Sequence, residues 1–344
     1  MKIVYLTGDL NIISGGNRVI IEHVNGLSKK GHEVELWVKD CELVSYFATD
    51  VEIRSYHKDA LSLPDCVVLT DPSFIPDAAQ IRPSQTTFLL LQHDNDWVSE
   101  TTGTSTYASL LNDYKAQFSH EKWKLITISK WLHDVYYKKY DLESIVIQNG
   151  IDQKLFQPSM PLFSKSSPNI LIYYDPQIWK GFSEAVMACL EVKKVYKDAN
   201  LLILGKYFPE VPKIESQSFG FPFPAVYFNR PPQRQLASIY SSAHVFVSSS
   251  WLEGFGLPGL EAMACGVPVV TTNQGGVGEY AINNVNSLAV PPKDVTGLTE
   301  AIVKILSNKV FAQTISEGGL KTAAEFNWEK SIGALEKALV RTHN

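Results

Sequence analysis

Residues 250–276 read SWLEGFGLPGLEAMACGVPVVTTNQGG. Small and apolar residues dominate the stretch, yet Glu253 and Glu261 sit in it eight positions apart. A buried carboxylate is costly unless paired or hydrogen-bonded, so a segment that only built core would rarely hold two. The punctuation is that of a strand handing over to a helix. VFVSSS is a β-branched run, GFG a sharp turn, and LPGLEAMAC has helical spacing with Pro258 suited to the first turn. Gly266 and Pro268 stop that helix, and VPVVTT is the next strand.

Working outward, the same alternation runs along the whole chain. At the N-terminus a β-branched run to Thr7 is followed by the loop DLNIISGG, the helix RVIIEHVNGLSKK and the strand EVELWV. Strand, loop, helix, strand predicts a parallel sheet. CVVLT, TFLLLQ, KLITIS and IVIQNG continue as buried strands. Residues 157–168, QPSMPLFSKSSP, are rich in Pro and Ser and read as a linker. After it the rhythm restarts with NILIYY, FSEAVMACLEVKKVY, LLILG, AVYF, QLASIYSSA and the quoted segment, ending in a helical tail. The expected architecture is α/β, with two Rossmann-like domains facing across a cleft. The N-terminal domain covers 1–156, the linker 157–168 and the C-terminal domain 169–327. Ligands of open parallel sheets sit at the carboxyl ends of the strands, which makes the cleft the expected site. Residues 99–106, SETTGTST, read as a mobile loop on its rim.

Bulk properties exclude several classes. The 344-residue chain is 45% hydrophobic and 19% charged, with a net charge of −5. Residues 1–150 hold 14 Lys+Arg against 20 Asp+Glu, a balance of −6 that leaves +1 for the rest. No basic face for nucleic acid is implied. Four cysteines without C-x-x-C spacing suit a reducing cytoplasm rather than a disulfide framework or zinc site. Cys189 and Cys265 lie in apolar helical patterns and read as core. MKIVYLTGDL turns polar too early for a signal peptide, and no apolar run approaches the ~20 residues that span a bilayer.

In the quoted segment Gly254 and Gly256 remove side chains where the backbone turns, exposing the amides of Gly254 to Leu257 at a positive helix end. That assembly binds phosphate. Glu261, about one turn into the helix, can reach past the anion to hydroxyls, and Glu253 would lie beside whatever the phosphate carries. Phosphate flanked by two hydroxyl-reading acids suggests a nucleotide-sugar. On spacing alone a plainer reading stays open, in which Glu253 ends a strand and Glu261 assists capping.

Glu253-x7-Glu261 inside EGFGLPGLEAMACGVPVV, followed by Gly275-Gly276 and Glu279, closely resembles the signature of family 4 glycosyltransferases (glycosyl transferases group 1), retaining enzymes of the GT-B fold. Supporting features span nearly the whole chain: Gly15-Gly16, GHEVELWV, the strand-end His93, ITIS, IQNGID, Lys180-Gly181 and LILG. The resemblance implies a metal-independent retaining enzyme without a cofactor. It would move a sugar from a nucleotide-diphosphate-sugar donor to a glycan or lipid-linked acceptor, in polysaccharide or glycoconjugate synthesis. It further implies that Glu261 holds the ribose and Glu253 the transferred sugar. The amides of Phe255, Gly256 and Leu257, beside Gly254, take the diphosphate and sugar, and Lys180 neutralises the phosphates. Gly15 and Gly16 let the N-terminal backbone approach the donor, His93 lies near the reacting carbon, and a C-terminal helix over about 328–344 crosses back to the first domain. Catalysis would rest on Glu253, His93 and Lys180.

Asp94-Asn95-Asp96 has the D-x-D spacing of metal-dependent transferases, but its strand-end place in the N-terminal half reads as acceptor contact or a solvated turn. The sharpest departure is Asp175. The family has Arg five residues before the Lys, and YYDPQIWKG replaces a phosphate-binding guanidinium with a carboxylate. Arg230 or Arg234 is the nearest compensating candidate. EKWKLITISKWLHDVYYKKY resembles a weak peripheral membrane face, which would put the protein at the inner face of the membrane; the acidic first half favours a strand and a half-buried helix with solvated lysines. Two competitors accompany the transferase reading: a nucleotide-sugar 2-epimerase on the same fold, and a non-catalytic nucleotide-sugar-binding partner subunit.

Overall fold

The computed structural model describes every residue except 40–41, 83, 104–107, 120, 206–214, 217–224 and 344. Two compact units result, one of Met1–Gly150 with Trp328–Asn344, the other of Ile151–Asn327.

The first unit has strands β1 (Lys2–Thr7), β2 (Glu33–Val38), β3 (Glu52–Ser55), β4 (Cys66–Leu69), β5 (Thr87–Leu91), β6 (Trp123–Thr127) and β7 (Ser144–Val146). Its helices are α1 (Gly15–Lys29), α2 (Ile75–Ile81), α3 (Asn95–Thr102), α4 (Ala108–Asp113), α5 (Lys115–Phe118) and α6 (Lys130–Tyr140). The second unit has β8 (Asn169–Tyr174), β9 (Asn200–Gly205), β10 (Glu215–Ser216), β11 (Ala225–Asn229), β12 (Val245–Ser248), β13 (Val269–Thr272) and β14 (Leu288–Val290). Helices α7 (Phe182–Val195), α8 (Gln233–Ser241), α9 (Leu257–Ala264), α10 (Val295–Ser307) and α11 (Lys309–Glu325) cover that sheet, and α12 (Trp328–His343) returns to the first unit.

Both sheets are doubly wound. The first has the order β3-β2-β1-β4-β5-β6-β7, all parallel, and the second β10-β11-β9-β8-β12-β13-β14, parallel except for β10 against β11. The central strands read as unbroken apolar runs because helices cover both faces, and they are buried accordingly: Leu6, Val67, Leu89, Ile172, Leu202 and Val247 are at most 1% exposed. Setting aside β10, both sheets run 3-2-1-4-5-6 in their own strands, with β7 added as a seventh at the edge of the first. The switch of direction falls between β1 and β4 in one and between β8 and β12 in the other, the place where open parallel sheets generally take their ligands.

Two expectations change. Residues 157–168 do not hang free between units; they are fastened to the second unit, where Ser242 Oγ accepts from the amides of Leu162 (2.8 Å) and Phe163 (2.9 Å) and Lys165 donates to the Ala243 carbonyl (2.7 Å). The chain passes between units at residues 150–151 and again at 327–328. Residues 99–102, expected in a mobile loop, finish α3, which Gly103 closes in the left-handed region (φ 69°); 104–106 lie outside the described residues. Cys66, Cys189 and Cys265 are free and buried, and Cys41 is outside the described residues.

Candidate functional site

The second unit gathers its charged groups at the switch point. β8 ends at Tyr174, and Asp175, 4% exposed, folds its carboxylate back to accept from the Gln177 amide at 3.1 Å. A single 3-10 turn, Ile178–Lys180, leads to Gly181 in the left-handed region (φ 66°). A Cβ on Gly181 would stand 2.0 Å from the Ser249 carbonyl oxygen, so the turn is pressed against the chain leaving β12. Ser249 Oγ donates to the Gly181 carbonyl at 2.6 Å and the Trp251 amide to the Trp179 carbonyl at 2.7 Å. The switch point thus becomes one rigid corner carrying Lys180 and Glu253.

There Lys180 Nζ lies 2.8 Å from Glu253 Oε1, with the side chains only 15% and 13% exposed. Ser250 Oγ donates to the same oxygen at 2.7 Å. The backbone of Glu253 is held too: its carbonyl accepts from Gly276 at 2.8 Å, and Gly275 (φ 87°) bridges to it so closely that a Cβ would meet that carbonyl at 2.3 Å. Gly275-Gly276 therefore acts by letting the two turns touch. Gly256 (φ 88°) precedes α9 and supplies no side-chain cap; in the first turn Pro258 has no N–H and the Gly259 amide donates to the Gly256 carbonyl at 3.2 Å. Buried Tyr280 also donates to the Gly256 carbonyl, at 2.6 Å. Glu261, half-buried one turn into α9, accepts from Tyr240 Oη at 2.9 Å. Burial and then the Glu261 charge push the Tyr240 phenol well above its ordinary range, so Tyr240 stays a donor. The Tyr173 phenol is pushed well up by burial and then by the charges of Asp175, Glu261 and Glu253.

Spacing had not indicated Tyr173, Ser250, Tyr240 or Tyr280. Arg230 follows β11, two strands from β8, exposed and with a φ of 49°.

In the first unit Gly15 and Gly16 are not loop. They open α1, capped by Ser14, whose Oγ accepts from the Asn17 amide at 3.0 Å. Gln92 donates to the Gly16 carbonyl at 3.3 Å. His93 is exposed just past β5, and its carbonyl accepts from Tyr136 Oη at 3.0 Å. Asp94 and Asp96 are each 7% exposed, which overturns the solvated turn: Lys139, 45 residues on, pairs with Asp94 at 2.7 Å and Tyr140 bonds to Asp96. Among the described residues no group of three or more His, Cys, Asp or Glu is placed to hold a metal. No helix among them is long and apolar enough to cross a membrane.

Against known proteins, the profile of one family, glycosyl transferases group 1, matches residues 161–322, nearly the whole second unit. This half of the chain is a glycosyl transferases group 1 domain. Asp175, Lys180, Glu253 and Glu261 all fall within the matched residues. An uncharacterised glycosyltransferase of Methanocaldococcus jannaschii is 24% identical over 226 residues, 62% of this chain and 58% of that protein. The chain spans about half the length of the curated relatives it matches. In fold it is similar to sucrose-phosphate synthase of Thermosynechococcus elongatus (TM-score 0.80, 18% identity, 99% of this chain and 98% of that one). HepE of Anabaena, in complex with UDP and glucose, gives 0.75 at 14% identity, covering 99% of each chain. Likeness at this level is one of fold, and with both units covered the fold of the chain is GT-B.

Proposed function

We propose that the chain is a retaining, metal-independent glycosyltransferase that moves a sugar from a nucleotide-diphosphate sugar to a glycan or lipid-linked acceptor, in the synthesis of a polysaccharide or glycoconjugate. The observation that carries this is the pairing of Lys180 with Glu253 beside the uncapped start of α9, at the switch point of a group 1 domain. A diphosphate at that helix end meets backbone amides and the Lys180 ammonium, which together stabilise the charge that develops as it leaves. Lys180 is shared with Glu253 before the donor arrives, so the phosphates draw the ammonium over and free a carboxylate oxygen for the sugar hydroxyls. Glu261, already oriented by Tyr240, takes the ribose hydroxyls. His93 acts at the transferred sugar, and attack from the leaving face, with the phosphate accepting the acceptor's proton, gives retention. UDP and glucose bound to HepE support the donor class. Free, buried thiols support a reducing compartment, and we place the protein in the cytoplasm.

Asp175 favours one competing reading, a nucleotide-sugar-binding subunit without turnover. Thermal-shift screening with UDP, GDP, ADP and TDP identifies the base, because a ligand that binds the native state raises Tm by linkage. Nucleotide release from the matching donor, stimulated by acceptor, is the expected result. Binding without release would select the subunit; sugar isomerisation without release would select an epimerase.

A further inference from the structure

The segment joining β5 to α3 is held from two sides, and each hold is local to the first unit. Gln92 donates to the Gly16 carbonyl at 3.3 Å, fastening the segment to the start of α1. From α6 come three side chains, Tyr136, Lys139 and Tyr140, at i, i+3 and i+4 and hence on one face of the helix. Tyr136 Oη takes the His93 carbonyl at 3.0 Å. Lys139 Nζ takes both oxygens of Asp94, at 2.7 and 2.9 Å, and stands 3.7 Å from Asp96. Tyr140 bonds to Asp96 Oδ2. Asp94 also caps α3, accepting from the Trp97 amide at 3.2 Å.

Burial divides these groups into two sets. The side chains of Asp94 and Asp96 are 8% and 10% exposed, and Tyr136 and Tyr140 are 2% and 6% exposed. His93, between them in sequence, is exposed. Both acids are therefore turned inward onto a cation and a phenol: a ligand reaching Asp94 from solvent would have to displace an ammonium bonded to both its oxygens, and Asp96 is held through Oδ2 while its Oδ1 is buried without a hydrogen-bond partner among the described residues. Charge-assisted bonds of this kind are the strong ones, and several of them on one turn fix its backbone.

We propose that α6 clamps residues 92–96, so that Asp94, Asp96, Tyr136, Lys139 and Tyr140 are positioning residues for His93 rather than ligands for an acceptor or a cation. This rests on the reading of His93 as a group acting at the transferred sugar. The clamp leaves the imidazole outside while fixing the carbonyl of its own residue, which sets where the ring points without contacting it.

Tyr136→Phe is the informative variant, because it deletes one hydroxyl and keeps the ring. Steady-state kinetics should show kcat lowered roughly 3- to 10-fold, the effect of one lost hydrogen bond, with the Kd for the nucleoside diphosphate unchanged. In a His93→Ala background the same substitution should cost nothing further, since there is no ring left to position. Lys139→Met should act in the same direction and Lys139→Arg should restore most of the loss. Hydrogen–deuterium exchange of the full chain should rise at residues 92–96 in Tyr136→Phe and Lys139→Met. Losses that add to His93→Ala would overturn the proposal, as would exchange at 92–96 that stays at the wild-type level. So would an activity stopped by EDTA, restored by Mg²⁺ or Mn²⁺ and lost in Asp94→Asn, which would make the acids cation ligands. Should the wild type transfer no sugar from any donor, the glycosyltransferase reading fails alone, and the exchange measurement still decides the clamp.

Discussion

Replacing Lys180 by Met keeps most of the side chain's length and removes its charge. Two consequences follow from the geometry and carry different signatures. The first is on stability. Glu253 would keep the Ser250 hydroxyl but lose the ammonium 2.8 Å away, leaving a carboxylate only 13% exposed. Removing one partner of a buried ion pair costs about 3–5 kcal/mol. With both side chains still touching water and Ser250 remaining, about 2 kcal/mol is the appropriate figure. For a unit the size of residues 151–327 that lowers Tm by roughly 4–8 °C. If the loss comes from stranding Glu253, then Lys180→Met with Glu253→Gln should be more stable than the sum of the single variants predicts, by about 1 kcal/mol or more. The second consequence is on binding. A hydrogen bond to a charged group contributes about 1.5–3 kcal/mol, but the diphosphate must first draw Lys180 from Glu253, so the lower end applies and Kd should rise roughly tenfold. Differential scanning calorimetry on the four proteins of the cycle, and titration calorimetry with the nucleoside diphosphate, measure both. Additive stability losses, or an unchanged Kd, would refute the shared role of Lys180.

The two acids should separate in kinetics: Glu261→Ala removes contacts equal in ground and transition states and raises KM, whereas Glu253→Gln should cut kcat by about 10²-fold, equivalent to about 2.7 kcal/mol; the reverse split would mean the donor lies the other way round. Asp175→Arg should lower Tm and weaken donor binding, because it deletes the turn bonded to Gln177 and buries a guanidinium at a position 4% exposed; a tighter diphosphate Kd would instead mark a degraded phosphate site. Gly181→Ala should destabilise by at least about 1–2 kcal/mol from its left-handed backbone alone, with the 2.0 Å approach to Ser249 added, and a urea midpoint matching wild type would refute that packing. Burial lowers His23 from 6.5 to about 3. The unfolded chain therefore takes up a proton that the native state refuses, so the stability is complete above the ordinary histidine range and falls as pH drops from about 6.5 toward 3, by up to about 1.4 kcal/mol per pH unit. Urea denaturation at pH 7.5 and 5 should show the fall in wild type and a flatter profile in His23→Gln.

What was legible in the residues, and what was not, divides by the range of the interaction. NILIYY, with no polar residue after Asn169 unless the tyrosine hydroxyls are counted, is β8 end to end, because a strand covered on both faces declares itself locally. EIRS at β3 gave no such sign: it is an edge strand with one half-buried and three exposed positions, and pairing with β2 rather than its own pattern makes it a strand. LAV at β14 is too short to show a period, and α2, seven residues with Pro in its first turn, is too short to show a helical one. Glu253 and Glu261 could be singled out because two acids in an apolar segment are locally improbable. Their partners could not, since Lys180 lies 73 residues from Glu253 and Tyr240 21 from Glu261.

Asp94 and Asp96 show the same limit from the other side. Two acids two apart at a strand end look alike whether they face solvent, a cation or their own protein. The decision lies 45 residues downstream, where Lys139 is one helical turn beyond Tyr136 and next to Tyr140. Three polar-tipped side chains at i, i+3 and i+4 in WLHDVYYKKY first resemble a face for a membrane or for water. In the fold that face is turned toward the strand end, with Tyr136 and Tyr140 buried, and its polar tips are consumed by the His93 carbonyl, Asp94 and Asp96. An amphipathic stripe states that a helix has an inner side; only the acids it meets make that side a clamp.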